Sequence, residues 1–159
     1  MWLARLRHPE VPVSCVLRAG NETFDVDAFL EDSRWKPNAV YHRGEKRHPT
    51  SVRVTRVSGF NLEISHGAFE DFDRAVTDSV AFLERERAEL SRLSALVGAG
   101  HVTLDFAVEY DREKHPFFGR TFPLSIIQAA SKAGVKLELS FYPRAREHDV
   151  PNDATRPPS

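Results

Sequence analysis

His101-Val102-Thr103-Leu104-Asp105-Phe106-Ala107-Val108-Glu109-Tyr110 alternates between two sets of side chains. Val102, Leu104, Phe106, Val108 and Tyr110 fall on one side, and His101, Thr103, Asp105, Ala107 and Glu109 on the other. Successive side chains of a strand project to opposite faces, so the stretch reads as a strand with one face on a core and one in water. Val135–Tyr142 repeats the pattern, with Val135, Leu137, Leu139 and Phe141 opposite Lys136, Glu138, Ser140 and Tyr142. Between them, Pro123–Ala133 (PLSIIQAASKA) reads as a helix. Thr121 or Phe122 stands at its cap, Pro123 suits the first turn, and Gly134 stops it. A two-faced sheet with helices covering one face is an α+β domain, and its polar alternation favours a largely antiparallel sheet.

Working outward, Val11–Arg18 is a further strand, Gly20-Asn21 a turn, and Asp25 the cap of a short helix through Ser33 that buries Val26, Phe29 and Leu30. An irregular stretch, Arg34–Thr50, follows. Ser51–Val57 and Phe60–Ser65 then read as a hairpin across Ser58-Gly59. Phe69–Val97 is helical by composition. Its apolar stripe of Phe69, Phe72, Val76, Val80 and Leu83 lapses through Glu84-Arg85-Glu86-Arg87 and resumes at Leu90, Leu93, Leu96 and Val97. Unbroken, that helix would run about 43 Å, while a domain of this size has a radius of gyration near 15 Å. A bend near Glu86–Glu89 is therefore expected. The order is roughly β-α-β-β-α-β-α-β, with 1–146 as one domain and 147–159 as a flexible polar tail.

The order of elements and several of their residues resemble a bacterial family known as domain of unknown function 4279. The likeness spans about Val13 to Tyr142. It rests on Phe24-Asp25-Val26-Asp27-Ala28-Phe29-Leu30, on Lys36-Pro37-Asn38-Ala39-Val40 with Arg43-Gly44-Glu45, and on Ser58-Gly59-Phe60-Asn61-Leu62-Glu63. The final helix and the strand through Leu137–Tyr142 also fit. The resemblance implies a small bacterial cytoplasmic protein, and it carries no activity, cofactor or catalytic residue with it.

Composition excludes several classes. The chain has 159 residues, 41% apolar, with eleven Phe and a formal net charge of −1, so it has material for one core and no global charge for nucleic acid or membrane. Cys15 is its single cysteine, which rules out an internal disulfide and a Cys-based zinc cluster. No apolar run is long enough for a secretory signal or a membrane span, and a cytoplasmic location is expected.

Cys15 alternates with Val11, Val13 and Leu17, as a buried inert thiol would. The histidines show no HxxxH or HExxH spacing, and GxSxG, P-loop and GxGxxG motifs are absent. No cofactor and no metal site is implied. Asp105 and Glu109 stand about 13 Å apart along one strand, too far for a glycosidase pair. Arg18 or Lys136 on neighbouring strands is the expected partner for them.

Charge is the sharpest local feature. Arg34, Lys36, Arg43, Lys46, Arg47, Arg53 and Arg56 are opposed within their segment by Glu45 alone, about +6 in a chain of −1. From Glu63 to Glu89 eight acidic residues face three arginines. The two segments either neutralise each other, or the basic one meets an acidic partner. The candidate binding residues are Trp35, Tyr41, His42, Arg43, Lys46, Arg47 and Arg53. The leading reading is a non-catalytic interaction domain for an acidic protein surface, with immunity-like neutralisation of a toxin as one form. The alternative is an enzyme or small-molecule binder with a site near Trp35, His42, Arg43 and the 111–122 loop. Nucleic-acid binding stands third, because the domain is not basic and its polar sheet face lacks paired aromatics.

Overall fold

The computed structural model describes residues 13–46, 50, 52–67, 71–110 and 119–143. Expectations for the 147–159 tail, most of the 111–122 loop and Arg47 lie outside the described residues. Five strands, β1 (Val13–Asn21), β2 (Ala39–Tyr41), β3 (Ser58–His66), β4 (Val102–Tyr110) and β5 (Lys136–Pro143), form one sheet in the order β2-β3-β1-β4-β5. All neighbouring pairs are antiparallel except β4 and β5, which run parallel. Parallel neighbours need a crossover. That crossover contains α4 (Leu124–Ala133), closed by Gly134 in the left-handed region at φ 67°.

The alternation read in β4 is realised. Val102, Leu104, Phe106 and Val108 are buried with Cys15, Leu17 and Ala19 of β1 and Phe60 and Leu62 of β3. Onto this face pack α4, α1 (Val26–Glu31), α2 (Phe72–Arg85) and α3 (Arg87–Val97). Asp25 caps α1 by accepting from the Ala28 N–H at 3.1 Å, and Val26 and Phe29 are buried as their spacing requires. Asp71 caps α2 in the same way through the Arg74 N–H. Phe122 packs on Phe72 and Phe106, with ring centroids 5.5 and 5.2 Å away.

The expected bend falls at Glu86, which separates α2 from α3. The two pieces are roughly 21 and 17 Å long, lengths the sheet can support. Two local readings are overturned. Ser58-Gly59 is not a hairpin turn but the start of β3, and β3 pairs with β1 and β2 rather than with Ser51–Val57. Gly59 is required by close approach: a Cβ there would lie 2.2 Å from the Ala19 carbonyl oxygen. Gly20-Asn21 is likewise the end of β1. The chain turns just beyond it, where Asn21 accepts from the Thr23 N–H at 2.8 Å and donates to the Val97 carbonyl at 2.7 Å.

Candidate interaction surface

Between β2 and β3 the chain makes an excursion that carries most of the basic segment. Its limbs are held together where the Gly44 N–H donates to the Thr55 carbonyl and the Thr55 N–H to the Glu45 carbonyl, both at 2.8 Å, and by a bridge between Lys46 and Val54. Its base is tied to the domain through His42. The imidazole lies 2.9 Å from the Asp27 carboxylate of α1 and 3.2 Å from that of Glu45. Hydrogen bonds from the imidazole to these two carboxylates, Glu45 foremost, raise the His42 pKa above its ordinary value. Arg43 donates to the Glu22 carbonyl at 3.4 Å, and its N–H to the Ser58 hydroxyl.

Several described side chains of the excursion are exposed. Val52 is 96% exposed and Val54 51%, and Val40 on the edge strand β2 is 41% exposed. Lys36, Lys46 and Arg56 are exposed as well, and Lys46 stands opposite Val54 in the bridge. Among the described residues none of these three cations forms an ion pair with a carboxylate. Arg53 is exposed on the same return limb.

Two of the expected binding residues have other places. Trp35 is 7% exposed and sits among Phe29, Phe60 and Phe82, with centroids 5.7 to 6.2 Å apart. Tyr41 reaches back over the sheet to donate to the Ala19 carbonyl at 3.4 Å. Trp35 is core because its ring fills the space between α1, α2 and β3, and its indole N–H finds a buried acceptor. That acceptor is Glu86, 5% exposed in the break between α2 and α3. One carboxylate oxygen accepts from the Trp35 Nε1–H at 3.1 Å and from Arg34 at 2.7 Å, and the other from Arg85 Nε at 2.9 Å. Burial pushes the Glu86 pKa up, but these three donors together hold it below the ordinary carboxylate value. Here the basic segment does meet the acidic helix, at its first residue.

The sheet face opposite the four described helices carries a second polar group. Arg18 bridges Asp105 at 3.2 Å and Glu138 at 2.9 Å, and the Ser140 hydroxyl donates to Asp105 at 2.7 Å. Burial raises the Asp105 pKa against the pull of Ser140 and Arg18. The Arg18–Asp105 pairing expected across the strands is therefore present. Cys15 is fully buried, accepts from the Ser79 hydroxyl at 3.3 Å, and has its thiol pKa pushed by burial up to about 12. Among the described residues no group of three or more His, Cys, Asp or Glu side chains is placed to hold a metal ion, and no helix is long and apolar enough to cross a membrane.

The profile of a family described as "Domain of unknown function (DUF4279)" matches residues 11–144, most of the chain. The chain belongs to the DUF4279 family. No curated protein and no solved structure matches it. In this DUF4279 domain the matched region takes in the whole sheet, all four helices, the basic excursion and the Glu86 junction.

Proposed function

We propose that this DUF4279 domain is a non-catalytic interaction module that binds an acidic protein surface through the excursion between β2 and β3. The carrying observation is the coincidence of exposed Val40, Val52 and Val54 with Lys36, Lys46 and Arg56, cations that no carboxylate neutralises among the described residues. Aliphatic side chains supply burial when water is expelled, and the cations steer approach and select against basic surfaces. Neutralisation of a toxin by an immunity-like partner is one concrete form of such binding, as a small cytoplasmic bacterial protein would perform it.

One observation favours the alternative of an enzyme or small-molecule site near Trp35, His42, Arg43 and the 111–122 loop. It is the contact of the His42 imidazole with two carboxylates. Acid–base chemistry also needs a cavity that holds a substrate against that ring. The described clefts lie instead between α2 and α4 and beside Glu86, and none is lined by His42, Trp35 or Arg43. Nucleic-acid binding stands third, and its mark would be affinity that falls steeply with salt for any sequence.

The test is quantitative affinity capture with the wild-type domain, a Lys46→Glu, Arg56→Glu variant, and a Glu84→Lys control on α2. A protein of acidic surface retained in stoichiometric amount by wild type and control, and lost by the double variant, supports the reading. Equal retention by all three, or none by any, overturns it.

A further inference from the structure

We propose that the cleft between the C-terminal end of α1 and the α2–α3 junction binds a small oxyanion, a carboxylate or a phosphate, between the guanidinium groups of Arg34 and Arg85. The cleft has a volume of about 320 Å³ and is lined by Asp32, Arg34, Arg85, Glu86, Ala88 and Glu89. This site stands apart from the β2–β3 excursion and does not depend on the function proposed for it.

What marks the site is how the two arginines are held. Surface arginines ordinarily sample many rotamers and lose that freedom on binding. Here the side chains are 70% and 65% exposed, yet both are anchored on the buried Glu86 carboxylate. Arg34 uses one Nη2–H and Arg85 its Nε–H for this bond. A guanidinium has five N–H donors, so most of each fork is left over. The Phe82 ring, 6.0 Å from the Arg85 guanidinium carbon, supports that fork from below. Two preset forks beside one cleft suit a planar or tetrahedral oxyanion.

Two acidic neighbours set the strength. Glu89 is occupied by Arg92 through bonds of 2.8 and 3.0 Å. Asp32, exposed at the end of α1, opposes an anion directly. The expected affinity is therefore in the millimolar range, as for a single anchored oxyanion.

The experiment is titration of the ¹⁵N-labelled full chain with inorganic phosphate and, separately, acetate, at constant ionic strength set with sodium chloride. Saturable shifts of the Arg85 Nε–H and the Ala88 and Glu89 amides support the site, and the tighter of the two anions names the ligand class. Arg85→Gln should weaken binding tenfold or more, and Lys136→Gln on β5 should leave it unchanged. Glu86→Gln, checked for folding by circular dichroism, separates positioning from bulk charge. It removes a negative charge, yet it should weaken binding because one acceptor oxygen becomes a donor and the Arg85 fork loses its anchor. Linear shifts with both anions, equal effects of Arg85→Gln and Lys136→Gln, or tighter binding by Glu86→Gln would each overturn the proposal.

Discussion

Glu86 offers the most demanding test of how this domain is held together. Its carboxylate is 5% exposed and joins the Trp35 indole, Arg34 and Arg85 across the α2–α3 break. In Glu86→Ala the two arginines return to water at little cost, since both are already solvated. The Trp35 N–H does not, and a buried donor left without a partner costs about 1–3 kcal/mol. With the lost side-chain packing the expected destabilisation is about 2–3 kcal/mol, and a domain of this size shifts its Tm by about 2–4 °C per kcal/mol. Urea unfolding followed by circular dichroism should show the midpoint fall with an unchanged slope. Glu86→Gln keeps an acceptor for the indole and should lose about half as much. Because the folded pKa of Glu86 is lowered, its ionised form contributes stability above the unfolded carboxylate pKa. That contribution is lost as pH falls through the folded value, so the gap between wild type and Glu86→Gln should narrow steadily as pH falls through the carboxylate range. A Glu86→Ala protein within 0.5 kcal/mol of wild type, or equal to Glu86→Gln, would refute this reasoning.

Three further outcomes are expected. Gly59→Ala should cost about 1–3 kcal/mol, because its Cβ meets the main chain of β1, while Gly119→Ala, with nothing within 4 Å, should be neutral. In an NMR titration the His42 ring should show a midpoint above 6.5, and Asp27→Asn should lower it. The stability that His42 contributes is full below the unfolded value and is lost as pH rises through the folded one; a midpoint at or below 6.5 would show that the clasp to Asp27 and Glu45 does not form in solution. Cys15 should resist a thiol reagent at pH 8 and react only at the rate of unfolding, given its burial and a pKa of about 12; rapid native labelling would contradict the packing around Ser79.

What could be read in the residues follows from how local the signals are. β4, α4 and β5 were legible because alternation, Pro123 and Gly134 each act within a few residues. Gly59 was not, since a glycine demanded by a neighbouring strand carries the same letters as one demanded by a turn. Glu86 sat in a run of four charged residues and looked solvated. Its position three after Leu83 and four before Leu90 continues the apolar stripe, and that was the signal to follow. Trp35 was grouped with the basic residues around it, although a large ring is more often core than surface. Lys36, Lys46 and Arg56 all stand in the charge count, but only Lys46 is among the candidate binding residues, and the exposure of Val40, Val52 and Val54 emerged only from the fold.

The most direct test of the interaction surface is hydrogen–deuterium exchange on the domain in complex with the captured partner. The account predicts protection centred on residues 38–46 and 52–56, with the α2–α4 cleft and the Arg18–Asp105–Glu138 face of the sheet unchanged. Protection on α2 and α4 or on the Arg18–Asp105–Glu138 face, with the excursion exchanging as freely as in the unbound chain, would contradict it.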